Sequence, residues 1–182
     1  MAFQIGDVVV KPSLGICKIR AKTTLTVEGK QQEFFVIYSG DVRVLVPVEQ
    51  AKKGTIRHVM SEKVQKKVLK DLQEPLRLPT DQHGDILEEA YRLDADQSNA
   101  IIKERDPEKL CGLIRLLFNK MKDHQQLEDK AEQSLFSEAL SLLSEELAYL
   151  EKTIKGRMTS QIKQMLAEAR KKRKKEKAGS VD

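Results

Sequence analysis

The side chains in this sequence that could do chemistry are few and dispersed. Its histidines and cysteines lie far apart: His58, His83, His124, Cys17 and Cys111. The pairs His83–Asp85 and Asp123–His124 do not have the spacing of a standard metal site. The sequence also has no phosphate-binding glycine loop, no serine in a nucleophile-elbow setting and no closely spaced cysteine pair. It therefore predicts no enzyme, no metal and no cofactor.

Binding residues are better supported, beginning with a run in which valine alternates with other residues. Val42, Val44, Val46 and Val48 would face one way on a strand, while Arg43 and Leu45 would face the other. Two interpretations of Leu45 are open. It is an isolated surface leucine, which is common in soluble proteins, or it belongs to a strand edge whose outer face meets another protein.

Tyr91 is the second candidate, because it is one of three tyrosines in a chain that has no tryptophan. One interpretation is a ring that packs in a helical core. The other is an aromatic side chain that reaches a partner, such as a base step of nucleic acid.

The third candidate is the basic run Arg170–Lys175. It is either a solubilising, disordered C-terminus or an electrostatic contact with phosphates. The charge is unevenly distributed along the chain, since residues 1–74 have 13 Lys/Arg against 8 Asp/Glu, residues 75–169 have 13 against 18, and residues 170–182 have 7 against 2. The middle of the chain is thus acidic, which does not describe a uniform nucleic-acid-binding surface.

The elements that must position these residues are of two kinds. Residues 3–48 alternate short β-rich runs with turn signals, and five strands are predicted there, including separate strands over 16–21 and 23–27 and a hairpin turn at Glu28-Gly29. Such short strands favour a small, strongly bent antiparallel barrel. A helix capped by Ser61 and running to about Gln73 has one apolar stripe, and we expect it to cover the open end of the barrel. The first domain is therefore predicted over residues 1–74.

Helical spacing dominates after the linker marked by Pro75 and Pro79. Asp106-Pro107-Glu108 is a well-formed helix start. We predict an all-α domain over residues 75–169 and a basic disordered tail over residues 170–182, which makes the chain a two-domain α+β protein. No apolar run is long enough for a membrane span, no secretory signal is visible, and the distant cysteines fit a reducing cytoplasm.

The sequence also resembles a known family. The resemblance rests on Phe3…Gly6-Asp7-x-Val9-Val10-x-Pro12-x-x-Gly15, Glu33-Phe34, Val46-Pro47, Ile56-Arg57-His58-Val59, the helix opened by Asp106, and Leu135-Phe136-x-x-Ala139-x-x-x-Leu143-x-x-Glu146-Leu147-Ala148. This ordered set is similar to the CarD/CdnL family of bacterial transcription regulators. The family's N-terminal domain also occurs in transcription-repair coupling factors.

The resemblance implies a Tudor-like barrel, of the SH3-like kind, that binds the β subunit of bacterial RNA polymerase with a strand edge. On this basis Arg43, Leu45 and Leu25 are the expected polymerase-binding residues. The helical domain would contact promoter DNA without sequence specificity and stabilise the open complex. Tyr91, which aligns with a DNA-wedging tryptophan of the family, is assigned to that contact with Arg92, Lys171, Lys172 and Arg173.

We expect a cytoplasmic monomer that associates with the nucleoid through polymerase and has no contact with membranes. The alternative from another functional class is an adaptor that does not bind DNA. It would use the barrel edge strand to hold another protein, and a helical arm.

Overall fold

The structure, a computed structural model, describes residues 2–80, 82, 87–123 and 130–178. The chain forms two compact units, Met1–Met60 and Ser61–Asp182. The first unit contains strands β1 (Val8–Lys11), β2 (Gly15–Val27), β3 (Lys30–Ser39) and β4 (Val42–Pro47), helix α1 (Val48–Gln50), a π-helical turn (Ala51–Thr55) and strand β5 (Arg57–His58). An antiparallel sheet followed by helices confirms the predicted α+β class.

The strands form one antiparallel sheet in the order β4–β3–β2–β1–β5. The two strands predicted over 16–21 and 23–27 are a single strand of 13 residues, β2. Its register against β3 shifts between Ile19 and Ala21, so Arg20 forms a bulge. A bulge lets a strand bend and continue, so one bent strand takes the place of the two that were predicted. The fifth strand of the sheet is the short segment Arg57–His58, which pairs with β1.

The predicted hairpin between β2 and β3 is confirmed. Glu28 and Gly29 have φ angles of 50° and 77°, and positive values at both central residues are what a two-residue type I′ turn requires. The turn sets the register of the β2–β3 ladder, in which Val27 lies opposite Lys30 and Leu25 opposite Gln32.

The core of the first unit lies on one face of this sheet. It is formed by buried residues from four strands and the segment after β4: Val9, Cys17, Ile19, Phe35, Ile37, Val46, Ala51 and Ile56. Val44 and Val48 pack against this cluster, whereas Arg43 and Leu45 are exposed. The predicted alternation of β4 is therefore confirmed for these residues. Val42, at the start of the strand, is 52% exposed.

The second unit contains helices α2 (Glu62–Gln73), α3 (Ala95–Glu104), α4 (Pro107–Asp123), α5 (Lys130–Leu150) and α6 (Lys155–Ala178), and a 3-10 helix (Glu88–Tyr91). The predicted helix starts are confirmed, since the Ser61 hydroxyl accepts from the Val64 amide at 3.3 Å and the Asp106 carboxylate accepts from the Lys109 amide at 2.9 Å. None of the described helices is long and apolar enough to cross a membrane.

The core of the second unit is built by apolar stripes of α4, α5 and α6. They include Leu110, Leu113, Ile114, Leu117, Phe136, Ala139, Leu143, Leu147, Met158, Ile162 and Leu166, all of which are buried. These residues recur three or four positions apart along each helix, as expected when one helix face packs against its neighbours.

Helix α2 belongs to this second unit, which begins at Ser61. It packs against α4 and α6, and its residues Val68 and Leu72 are fully buried. The Cys111 thiol of α4 donates to the Val68 carbonyl at 3.8 Å, and the Arg115 guanidinium donates to the Glu74 carbonyl at 3.1 Å. The structure thus divides the chain at 60/61, whereas the predicted division lies at 74/75 with α2 as a covering helix. An apolar stripe shows that a helix packs, but it does not show against what.

The basic run at the C-terminus also differs from its prediction as a disordered tail. Helix α6 continues to Ala178, and residues 179–182 lie outside the described residues. The Lys172 ammonium donates to the Gln73 carbonyl at 3.2 Å, and the Arg173 guanidinium donates to the Asn119 side-chain carbonyl at 3.1 Å. These bonds tie the basic segment to α2 and α4. Cations near a helix C-terminus are also favoured by the helix dipole.

We predict that Leu72→Ala destabilises the helical unit by about 3 kcal/mol, since removal of a buried leucine side chain leaves a cavity. Hydrogen exchange of the full-length protein should show faster exchange in α2, α4 and α6, with β1–β4 unchanged. Lys63→Ala, at an exposed position of the same helix, is the control and should change little. Faster exchange confined to the strands would contradict the assignment of α2 to the helical unit.

Candidate functional site

Strand β4 lies at one end of the sheet order, with β3 as its neighbour. Within the described part of the chain, no strand pairs with its other side. An edge strand of this kind presents free backbone N–H and C=O groups that can pair with a strand of another protein. The edge predicted for protein binding is therefore present at Val42–Pro47.

The strand register places the three predicted polymerase-binding residues on one face. Leu45 lies opposite Val36, and Arg43 lies opposite Tyr38. Leu25 lies opposite Gln32. Directly opposite residues share a face, and so do residues two apart on one strand, so Leu25, Arg43 and Leu45 lie on the same face of the sheet, with β3 between Leu25 and the other two. We call this face, opposite the Phe35–Ile37 core, the outer face.

The outer face has an apolar centre. Leu25 and Leu45 are 40% and 37% exposed, whereas Phe34 and Val36 between them on β3 are buried. Val27, two residues beyond Leu25, is also exposed. A partner that covers Leu25 and Leu45 would thus bury apolar side chains on either side of the buried β3 residues Phe34 and Val36.

Cations surround Tyr38 at one end of the outer face. The Arg20 guanidinium carbon is 4.9 Å from the centroid of the Tyr38 ring, which is a cation–π distance. Lys18 and Arg43 lie opposite Tyr38 on the two neighbouring strands. Sequence reasoning missed Lys18, Arg20 and Tyr38, because their proximity depends on the bulge and on the register of three strands.

The residues predicted to contact DNA lie in different settings. Tyr91 ends the 3-10 helix and is 1% exposed, so its ring is packed within the helical unit, which is the first of its two interpretations. Arg92 is exposed. The nearby Asp94 caps α3, because its carboxylate accepts from the Gln97 amide at 2.8 Å. The aromatic predicted as a wedge is therefore a core residue in this structure.

The basic residues of α6 are held by the fold to different degrees. Lys171 and Lys172 are exposed, and Lys172 still donates to the Gln73 carbonyl at 3.2 Å. Arg173 is half-buried against Asn119, which is itself buried. Of these three, Arg173 is therefore mainly a packing residue of the helical unit.

The structure adds no support for metal or thiol chemistry. No group of three or more potential metal ligands occurs among the described residues. The pairs His83–Asp85 and Asp123–His124 include His83, Asp85 and His124, which lie outside the described residues. Burial raises the pKa of the Cys111 thiol to about 12, so at neutral pH this side chain is a protonated core residue with little nucleophilic character.

The first unit matches a known domain family. Residues 3–60 match the model of the CarD-like/TRCF RID domain. The family interacts with RNA polymerase and is non-enzymatic. The match supports an RNA polymerase-interacting, transcription-related protein, and it confirms the resemblance of the first unit. The resemblance of the helical part stays a prediction.

We predict that Tyr91→Ala destabilises the helical unit by about 3 kcal/mol, because a large aromatic side chain is removed from a buried position. Chemical denaturation measures this change. Tyr91→Phe, which keeps the ring, is the matched control and should cost clearly less. A loss below about 0.5 kcal/mol for Tyr91→Ala, typical of surface sites, would show that the ring is not part of the core.

Proposed function

We propose that this protein binds the β subunit of bacterial RNA polymerase through the β4 edge and the outer face of its RID domain. The observation that carries the proposal is the placement of Leu25, Arg43 and Leu45 on one face of the sheet, with Arg43 and Leu45 on the edge strand β4. This face lies within the segment that matches a polymerase-interacting family.

Backbone pairing and side-chain burial act together in this proposal. A strand added to β4 would supply hydrogen bonds for edge groups that otherwise bond to water. Leu45, on the edge strand itself, would be covered by the partner, and Leu25 would extend the apolar contact along the hairpin. Fully burying a leucine side chain contributes about 2 kcal/mol, which is enough to make a few such residues dominate the affinity.

The cations around Tyr38 would act mainly on the rate of association. Lys18, Arg20 and Arg43 have no ion pair with a described residue. Unpaired surface cations attract an acidic patch over distances of about a Debye length, and this attraction is screened by salt. The β-subunit surface that docks here should accordingly be acidic beside an apolar strip.

The same proposal assigns to the helical unit a contact with promoter DNA that stabilises the open complex. Free protein in solution should bind DNA weakly, because the region of residues 75–169 has an excess of acidic residues, 18 Asp/Glu against 13 Lys/Arg. Binding of the RID domain to polymerase would make the DNA contact intramolecular. Effective concentrations near the millimolar range for short linkers turn a weak contact into a useful one.

We predict that Leu45→Glu weakens binding to the polymerase β subunit at least tenfold, because a carboxylate would lose its water in an apolar contact. Titration calorimetry or surface binding with the purified β subunit measures this loss. Ile154→Glu is the matched control: Ile154 is an apolar residue, 74% exposed, that precedes α6 in the helical unit, outside the proposed docking face. Unchanged affinity with unchanged thermal stability for Leu45→Glu would rule out this docking face.

A second experiment tests the consequence for initiation. Wild-type protein should lengthen the lifetime of an open complex formed by the matching polymerase on a linear promoter, and Leu45→Glu should abolish the effect. Ile154→Glu should act as wild type. If polymerase is bound without any change in lifetime, the adaptor function is the better description.

A further inference from the structure

Two lysine-rich helix faces meet in the helical unit. Helices α2 and α6 pack against each other, and the hydrogen bond from Lys172 to the Gln73 carbonyl joins them near the C-terminus of α2. On α2, Lys63, Lys66 and Lys70 are all exposed. They are spaced three and four residues apart and therefore follow one stripe, which continues to Gln73 three residues after Lys70.

Helix α6 has a corresponding stripe of lysines, on the same helix face that lines an open groove. The groove has a volume of about 330 Å³ and is lined by Gln73, Gln161, Gln164, Met165, Glu168 and Lys172. Lys171 and Lys175 follow Gln164 and Glu168 by seven residues, two helical turns, and so lie on the same face. Lys171 and Lys175 are exposed. We call Lys63, Lys66, Lys70, Lys171, Lys172 and Lys175, with the groove between them, the lysine surface.

Most of the charge on the lysine surface is not neutralised within the protein. Lys66 forms an ion pair with Glu62 at 2.6 Å, and the Glu168 carboxylate in the groove accepts from the Gln164 amide at 3.0 Å. Lys63, Lys70, Lys171 and Lys175 have no ion pair with a described residue. Lys172 uses one of its three N–H donors on Gln73, which leaves two for a ligand.

The basic end of α6 is held in place. Arg173 donates to the Asn119 side-chain carbonyl at 3.1 Å, and the Asn119 amide nitrogen donates to the Arg115 carbonyl at 2.8 Å. Asn119 is 5% exposed. Arg173, which makes this partly buried bond, directly follows Lys172 in the sequence. The neighbouring lysines are therefore presented by a docked helix, and less conformational entropy is lost when they bind a ligand.

The positive charge concentrated on α6 favours a polyanion as the partner. Helix α6 contains ten Lys/Arg and two Asp/Glu, a net charge of +8, whereas α5 contains one Lys and four Glu, a net charge of −3. The groove offers glutamine amides, which commonly donate to phosphate oxygens. We infer that the lysine surface binds the phosphodiester backbone of a nucleic acid without reading its sequence. This inference rests on the proposed promoter contact and locates it on α2 and α6, away from Tyr91.

The salt dependence of binding tests this inference on the full-length protein. The probes are two labelled 20-base-pair DNA duplexes of unrelated sequence and a single-stranded RNA of the same length, followed by fluorescence anisotropy over a series of KCl concentrations. Each phosphate contact that is lost should flatten the slope of log K against log salt by about 0.9 for duplex DNA. The variants are Lys63→Gln/Lys70→Gln on α2 and Lys171→Gln/Lys175→Gln on α6.

Each double variant should flatten the slope by up to about 1.8, since it removes two cations, and the two duplexes should behave alike. Lys103→Gln/Lys130→Gln, which neutralises two exposed lysines of α3 and α5, is the control and should keep the wild-type slope. If only the α6 variant flattens the slope, α2 is not part of the site. If neither does, or if poly-glutamate binds as tightly as the duplex, the lysine surface is not a phosphodiester site. RNA binding without duplex binding would separate the surface from the promoter.

Binding to polymerase distinguishes this inference from the proposed function. Both lysine variants should bind the β subunit as wild type does, because their substitutions lie outside the RID domain. Leu45→Glu should in turn keep the wild-type salt slope for DNA. Loss of polymerase binding in the Leu45 variant together with unchanged slopes in both lysine variants would retain the docking face and overturn the phosphodiester site.

Discussion

The pairing of β2 with β3 is the interaction on which the first unit depends. The ladder runs from Lys18–Tyr38 to Val27–Lys30 and is interrupted by the bulge between Ile19 and Ala21. It makes β3 a central strand, with Phe35 and Ile37 in the core and Phe34 and Val36 buried on the opposite face. The two-residue turn at Glu28-Gly29 fixes the register of this ladder, because turn type and loop length set the register of a hairpin. The register of β4, and with it the orientation of Leu45, is inherited from β3.

Much of that arrangement could be predicted where a local sequence pattern alone determines the structure. The alternation of valines identified the core face of β4, and the Glu28-Gly29 pair identified the hairpin. Prediction from local patterns failed where pairing with a distant strand determines the structure. The bulge at Arg20 and the two-residue strand Arg57–His58 have no local signature, because each exists only through the strand beside it. The cation–π contact of Arg20 with Tyr38 was missed for the same reason.

The candidate DNA residues show a second limit of sequence reasoning. An apolar helix stripe and an aromatic ring both indicate that burial is favourable, but neither identifies the surface against which it packs. Val68 and Leu72 predicted a helix that buries one face, and the structure packs this face within the helical unit, against α4 and α6. Tyr91 could have been a wedge, and it is 1% exposed. A basic run is equally ambiguous, since a chain of like charges is expected to repel itself and unfold unless tertiary bonds hold it. Here the Asn119–Arg173 bond, invisible at the level of sequence, holds it.

The two units offer different kinds of contact surface. The outer face of the sheet offers directional hydrogen bonds at an edge together with apolar side chains, a combination that recognises one protein surface in one orientation. The lysine surface offers point charges on long side chains, which bind a regular polyanion in many registers and contribute little specificity. In the proposed function, the first kind of contact would serve polymerase and the second would serve DNA. With specificity in the first unit, affinity for DNA in solution could stay weak, so that nonspecific sites elsewhere on the DNA would not compete for the protein.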